Sequence, residues 1–421
     1  MHERRLPDRP RALVALAVAL AVLVAGTGLF ALARVSSRPP TRRAEPALAA
    51  GTALVAGGRT GTAVAAGPAF RAWLAKGTVP QGTYAGLATT ALADLYSLTL
   101  RNGGVIASTA AAWHYVWPRD AAFAAAAFAR TGHLSDALAD LRFLQAVQAP
   151  DGSFQARYLV DGSGPPDDRG IQDDDPGWAL WSVAEVLAAA PVHQRTEITS
   201  TVDDLVQRSL DRLLSRTAGP GALPAPSSDY WEVGETQLTL GIAAPTLVGL
   251  LAGSRLVQAG HPDRAALASR RATALRSSIQ QDFGTSGYSR YAGGRGPDAA
   301  VTFTLPPYVD APLSGAVAAS RNAVQKLLQP SGGVTPGATW PHHDGVSWTP
   351  ESALFLLADA GTGDRSAAEY WLSWFAQHSG AGRLPEKVLG SRRAGPIAPL
   401  AWTDALVLLS LDELDQIAPK G

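Results

Sequence analysis

Beyond about residue 70 the chain is dominated by apolar positions that return every three or four residues, the spacing that stacks side chains along one face of an α-helix. Leu134, Leu138, Leu141 and Leu144 mark one such face, and Ile198, Val202, Leu205, Val206, Leu210 and Leu213 mark another. The alanine-rich run 121–130 is helical by propensity alone. Further helices are predicted at about 84–102, 177–190, 235–259, 263–283, 311–328, 351–360, 366–378 and 400–417. Strand-like runs are short and scattered, at Val105-Ile106 and 301–305. The pattern predicts an all-helical domain.

Between the helices lie loops that mix aromatic and charged residues, at 113–120, 172–178, 229–232, 288–308, 340–348 and 384–402. Successive loops are roughly 40 to 70 residues apart, about two 15-residue helices with their connections, the scale of one helical hairpin. Six loops imply six hairpins. If the hairpins close into a ring, alternate connections emerge at one end and the six loops meet in one cleft; an open stack of helix pairs would instead set them along a groove.

The first loop, Trp113-His114-Tyr115-Val116-Trp117-Pro118-Arg119-Asp120, carries the sharpest chemistry. Pro118 suits the first turn of a helix, where its missing N–H costs nothing, so Arg119 and Asp120 should stand at the helix mouth with Trp117 just outside. A pyranose needs such a mixture: flat apolar faces against its C–H faces, and charged hydrogen-bonding groups for its hydroxyls. The same residues could equally be a helix cap with a paired Arg119 and Asp120 over core tryptophans.

Two glutamates are candidates for acid–base work. Glu232, in Asp229-Tyr230-Trp231-Glu232, sits beside a tryptophan at a loop–helix junction, where partial desolvation suits a general acid. Glu235, read as lying in the first helical turn, is its rival and the better match to a solvated dipole partner. Glu386 follows Leu384-Pro385 on a proline-fixed approach to the last helix. In Gln172-Asp173-Asp174-Asp175-Pro176-Gly177 the acids lack the alternating Asp-x-Asp-x-Asp-Gly spacing of a calcium loop, so the segment reads as the start of a helix with one aspartate turned into the cleft. His114, His342 and His343 have no metal-ligand spacing and read as rim residues. No metal and no cofactor are predicted.

Composition narrows the partners. With 36 basic and 36 acidic residues there is no electrostatic case for nucleic acid. The absence of cysteine excludes disulfides, thiol catalysis and thiolate metal sites. Near the N-terminus an uncharged run, 12–33, reaches about 33 Å as a helix, enough to span a hydrocarbon core. It follows Arg4, Arg5, Arg9 and Arg11. Residues 1–34 are therefore expected to be a signal anchor, 35–68 a tether, and 69–421 an extracytoplasmic catalytic domain; Ala31-Leu32-Ala33 would alternatively serve as a signal-cleavage site, giving a secreted protein.

Taken together, Gly104-Val105-Ile106-Ala107, the Trp113 to Asp120 block, Asp151-Gly152-Ser153-Phe154, Gly170-Ile171-Gln172 with Asp174, Tyr230-Trp231-Glu232, Leu384-Pro385-Glu386 and Leu400-Ala401-Trp402 resemble glycoside hydrolase family 15, the glucoamylase and glucodextranase group. The resemblance covers about 84–415. It implies an (α/α)6 barrel of six inner and six outer helices and inverting hydrolysis of α-glucosidic bonds from the non-reducing end. On it, Arg119 and Asp120 would clamp the terminal sugar, Trp117 and Trp231 would wall its subsite, Glu232 would be the general acid and Glu386 the base, with Trp113, Tyr115, Gln172 and Asp174 also lining the carbohydrate site. The sequence departs from the family where Val233 follows the acid in place of a second acid and where Trp113 replaces a tyrosine. A glycan-binding protein without turnover and a trehalase-like member of the same family are the alternatives.

Overall fold

The computed structural model describes residues 67–417 apart from 343 and 381. The predicted membrane-spanning run and all but the end of the tether lie outside the described residues, among which no helix is long and apolar enough to cross a membrane. The helices in chain order are α1 Pro68–Leu74, α2 Ala85–Leu98, α3 Pro118–Arg130, α4 Leu134–Val147, α5 Asp175–Ala189, α6 Val192–Thr201, α7 Asp203–Arg216, α8 Leu240–Leu256, α9 Pro262–Asp282, α10 Ala316–Leu327, α11 Thr349–Gly361, α12 Arg365–His378 and α13 Ala401–Ile417.

Six elements close into an inner ring. In order they are α3, α5, α8, a 3-10 turn at Ala299–Thr304, α11 and α13, each packed on the next and α13 packed back on α3. Outside it, α2 lies on α13, α4 on α3, α7 on α5, α9 on α8, α10 on the 3-10 turn and α12 on α11. This is the six-hairpin toroid that the resemblance implies, the closed one of the two arrangements the loop spacing allows, with its fourth inner position reduced to a short turn.

The ring is tightest where its residues are small. All of Ala121 to Ala129 in α3 are buried, and α5 meets α8 through glycine: a Cβ on Gly177 would lie 2.3 Å from the Pro245 carbonyl oxygen, and one on Gly249 would lie 2.6 Å from the Cα of Gly177. Outer helices show the opposite pattern, burying one face only. In α7 that face is Leu205, Val206, Leu210 and Leu213, while Asp204 and Arg208 pair in solvent on the other.

Three predictions about elements need correction. The apolar face read continuously from Ile198 to Leu213 belongs to two helices, because Val202 leaves the helical region (φ −112°, ψ 20°). The strand expected at 301–305 is the 3-10 turn. Its β-branched residues misled the pattern: the hydroxyls of Thr302 and Thr304 bond back to the carbonyls of Ala299 (2.7 Å) and Val301 (2.6 Å), and Asp298 caps the Ala300 amide. The third concerns 235–239, expected as helix but lying ahead of α8. Strands occur elsewhere, β1 Ser289–Tyr291 with β2 Gly294–Pro297 and β3 Ser347–Trp348 with β4 Lys387–Val388, both pairs inside the aromatic loops that feed the inner ring.

Candidate active site

The inner helices bring residues of their first turns together. Three of them begin with proline in the first turn, Pro118, Pro176 and Pro350, and each proline stands next to a charged residue: Arg119, Asp175 and Glu351. Arg119 is the hub. Its guanidinium is 5% exposed, lies 4.2 Å over the Trp402 ring of α13, and donates to Asp120 at 3.1 Å. Its Nε and Nη1 have no partner among the described residues. Burial opposes its charge, but Asp120, Glu232, Asp174 and Asp175 outweigh that and hold it protonated.

The acids around it feel the same burial. Desolvation pushes Asp120 up to about 6 and Asp174 to about 7, in both cases against the pull of Arg119. Asp175 is raised well above the carboxylate range by burial and then by its neighbour Asp174. Its two oxygens and Oδ1 of Asp174 are buried without a partner among the described residues. Asp174 and Asp175 thus both sense Arg119, where one aspartate of the triple-acid segment was expected at the cleft, while Asp173 pairs with Arg212 (2.8 Å) and Arg216 (2.7 Å).

Glu232 sits on a tight turn, its amide donating to the Asp229 carbonyl at 2.7 Å, and adopts a left-handed backbone (φ 56°) that non-glycine residues rarely hold. A buried frame holds it there. Asp229 accepts from Thr239 Oγ1 (2.7 Å), the Trp231 amide (3.0 Å) and Arg290 (3.0 Å), while Gln172 donates to the Asp229 carbonyl (3.1 Å). Arg290 also binds Glu235 (2.7 Å) and Asp298 (3.3 Å) and lies 3.7 Å over the Trp231 ring. Glu235, the rival acid of the sequence reading, pairs with Arg290 and Tyr291, in a loop and not in a helical turn. The Glu232 carboxyl, expected to be partly desolvated beside a tryptophan, has polar partners on both oxygens. Trp117 Nε1 donates to Oε1 at 2.6 Å, Arg169 pairs with Oε2, and Arg119 lies 3.9 Å from Oε1.

Glu386 comes from the other side of the ring, between β4 and the Leu384-Pro385 approach. Burial raises it above the usual glutamate range; Lys387, 3.4 Å away, and a hydrogen bond from Trp113 pull it down, and the charge of Glu232 pushes it up. The two carboxyls thus sense one another. Glu351, in the first turn of α11, is 5% exposed and pushed up to about 8, by burial first and then by Glu386 and Asp298 against Arg119.

Of the residues singled out in the sequence, Arg119, Asp120, Asp174, Glu232 and Glu386 are drawn together electrostatically, with Trp117 and Trp113 bonded to the two glutamates. Tyr115 packs edge-on to Trp117 at 6.3 Å, under the guanidinium of Arg157. Trp231 is 8% exposed and meets Trp340 edge-on at 4.9 Å. Gln172 is the exception, buried as a strut beneath the acid loop. His342 is exposed, His343 lies outside the described residues, and no cluster fit to hold a metal occurs among the described residues. Asp175, Arg169, Arg290 and Glu351 were missed. Only Asp175 carried a signal, its place beside Asp174 ahead of Pro176.

No family model and no curated protein sequence matches this chain. Solved structures do. One is a glycosidase variant in complex with glucose, with a TM-score of 0.66 at 22% identity over 80% of this chain and 99% of that one. A bacterial glucoamylase complexed with acarbose gives 0.65 at 16%, covering 82% of this chain and 58% of the other. A family 63 mannosylglycerate hydrolase from Thermus thermophilus, in complex with glucose, gives 0.54 at 13%, over 77% and 99%. The fold is the one these glycosidases share.

Proposed function

We propose that the chain is a glycoside hydrolase, an inverting, exo-acting α-glucosidase of glucoamylase type, with Glu232 as general acid and Glu386 as general base. The observation that carries this reading is a pair of carboxyls brought together by different loops: Glu232, beside a buried guanidinium that still has donors to give, and Glu386, which senses the Glu232 charge. Unpaired buried donors and acceptors are costly unless a ligand completes them, and sugar hydroxyls supply both roles. Arg119, Asp120, Asp174 and Asp175 then bind the terminal glucose between Trp117, Trp231 and Trp402. Glu232 protonates the departing oxygen from one loop while Glu386 activates a water from the other. The reaction inverts if the carboxyls stand about 6.5 to 9.5 Å apart, with room for that water. The glycosidases of like fold support the reaction class, and the uncharged run 12–33 supports placing the cleft outside the cytoplasmic membrane.

The test is the full-length chain on maltose, isomaltose, trehalose and starch, with the first-formed anomer of glucose followed by NMR. β-Glucose is expected first. Glu232→Gln should lose about 10²-fold or more on the disaccharide yet recover on α-glucosyl fluoride, whose leaving group needs no proton, while Glu386→Gln stays impaired on both. Sugar binding without release of glucose would give the binding-protein reading its place. Wild-type rates in both variants would remove these two residues from the reaction.

A further inference from the structure

The glucosidase reading leaves one cleft group unused. Glu351 follows Pro350 in the first turn of α11, and its Oε2 is buried without a partner among the described residues. Its charged neighbours come from three elements: Arg119 from α3, Asp298 ahead of the 3-10 turn, and Glu386, with Lys387 beside it, from the loop ahead of α13. The same elements carry Arg119 and Glu386 of the candidate site. A carboxyl in the first turn of a helix ordinarily faces solvent and complements the helix dipole. This one is 5% exposed, and neither of the two nearby cations bonds it.

We propose that Glu351 is a further substrate-binding residue, whose unpartnered Oε2 bonds a hydroxyl of the terminal sugar and so holds that sugar between Arg119 and Glu386. With its carboxyl pushed up to about 8 by burial, it carries a proton at neutral pH and donates the bond. That complements its neighbours. Asp120, with the arginine beside it, titrates lower and accepts, so a sugar with several hydroxyls meets both donors and acceptors on one floor. The proposal rests on the cleft being a sugar site.

It is tested by binding, apart from turnover. Glucose and the four deoxyglucoses lacking the 2-, 3-, 4- or 6-hydroxyl are titrated into full-length wild type, Glu351→Gln and Glu351→Leu, with the cleft tryptophans as fluorescent reporters, from pH 5 to 9. Wild type should bind glucose more weakly above about pH 8. Glu351→Gln, which keeps an N–H donor and cannot ionise, should bind within about threefold of wild type at pH 6 and lose that alkaline fall. Glu351→Leu should lose about tenfold or more at every pH below 8, and for one deoxyglucose this deficit should vanish, identifying the hydroxyl held. Four results would each overturn the proposal: a Leu variant within twofold of wild type, an equal deficit for all four deoxyglucoses, an alkaline fall that persists in the Gln variant, or a parent that binds none of these sugars. If the predicted pattern holds but no glucoside is cleaved, the hydrolase reading fails and the Glu351 site stands.

Discussion

The two ends of α3 carry the same residue type to opposite purposes. Arg130, at the C-terminal end, pairs with Glu185 (2.7 Å), Asp412 (2.8 Å) and Glu413 (3.2 Å), three carboxylates from two neighbouring inner helices. There its charge suits the helix dipole, and its bonds tie α3 to α5 and α13. Arg119, at the N-terminal end, is a cation at the positive pole, deeply buried, with one bonded carboxylate and two unpaired nitrogens. A fold built for stability alone would place the residue at only one of these ends. Where local rules are broken in a well-packed ring, a ligand is the usual reason.

Exchanging each arginine for methionine should break the comparison most sharply. Arg119→Met should cost about 10²-fold or more in kcat/KM and in glucose affinity, beyond whatever stability is lost as the acids around it lose their cation. The mirror experiment, Arg130→Met, should leave kcat/KM within about twofold while lowering stability by about 2 to 3 kcal/mol, since three acids lose their cation. Chemical denaturation and steady-state kinetics on the same preparations would reverse the comparison if the losses came out the other way round.

A smaller effect is expected from pH. At the Arg119 end Asp120, Asp174 and Glu351 are raised to about 6, 7 and 8, and away from it Asp94 and Asp359 are each raised to about 7. Between about pH 4 and 8 the folded chain therefore holds protons that the unfolded chain has released, so the stability these groups contribute is whole below pH 4 and drains away as pH rises through 6 to 8. Asp151 and Asp167, lowered by their hydrogen bonds to Ser153 and Arg157, act in the opposite sense in stronger acid. Melting temperature should peak near pH 4 to 5 and decline toward 8. A rise over that interval would mean that the cleft acids are ionised in the folded protein.

The smallest effect concerns Glu386, the proposed base. Lys387 and Trp113 both pull Glu386 down against burial, so Lys387→Met should move the acidic limb of the kcat/KM profile upward, and Trp113→Phe should do the same more weakly. An unmoved limb in both variants would assign that ionisation to another group.

Much of this molecule is written in short-range pattern. Helix periodicity located the inner and outer helices to within a few residues, and the aromatic–acidic loops marked where each inner element begins. What escaped depends on distant partners. Glu351 after Thr349-Pro350 reads as an ordinary solvated first-turn acid until Arg119 and Glu386 are packed over it. Arg169 sits in the polar stretch from Asp161 to Gly170, which reads as plain surface, yet it reaches the Glu232 carboxyl. Arg290 lies in a segment with no periodic signal and proves to be the pin of the acid loop.

The left-handed backbone of Glu232 bears on how the gene itself can change. A glycine there would release backbone strain of roughly 1 kcal/mol or more while giving up the bonds to Trp117 and Arg169, so a mutation that relaxes the turn is a short step away at the very position the proposed reaction depends on. Selection for turnover must continually purge it. In a lineage whose cell no longer required the sugar released, glycine, asparagine or aspartate should collect at this position early, ahead of any decay in the alanine-lined ring, and the fold would outlast its chemistry.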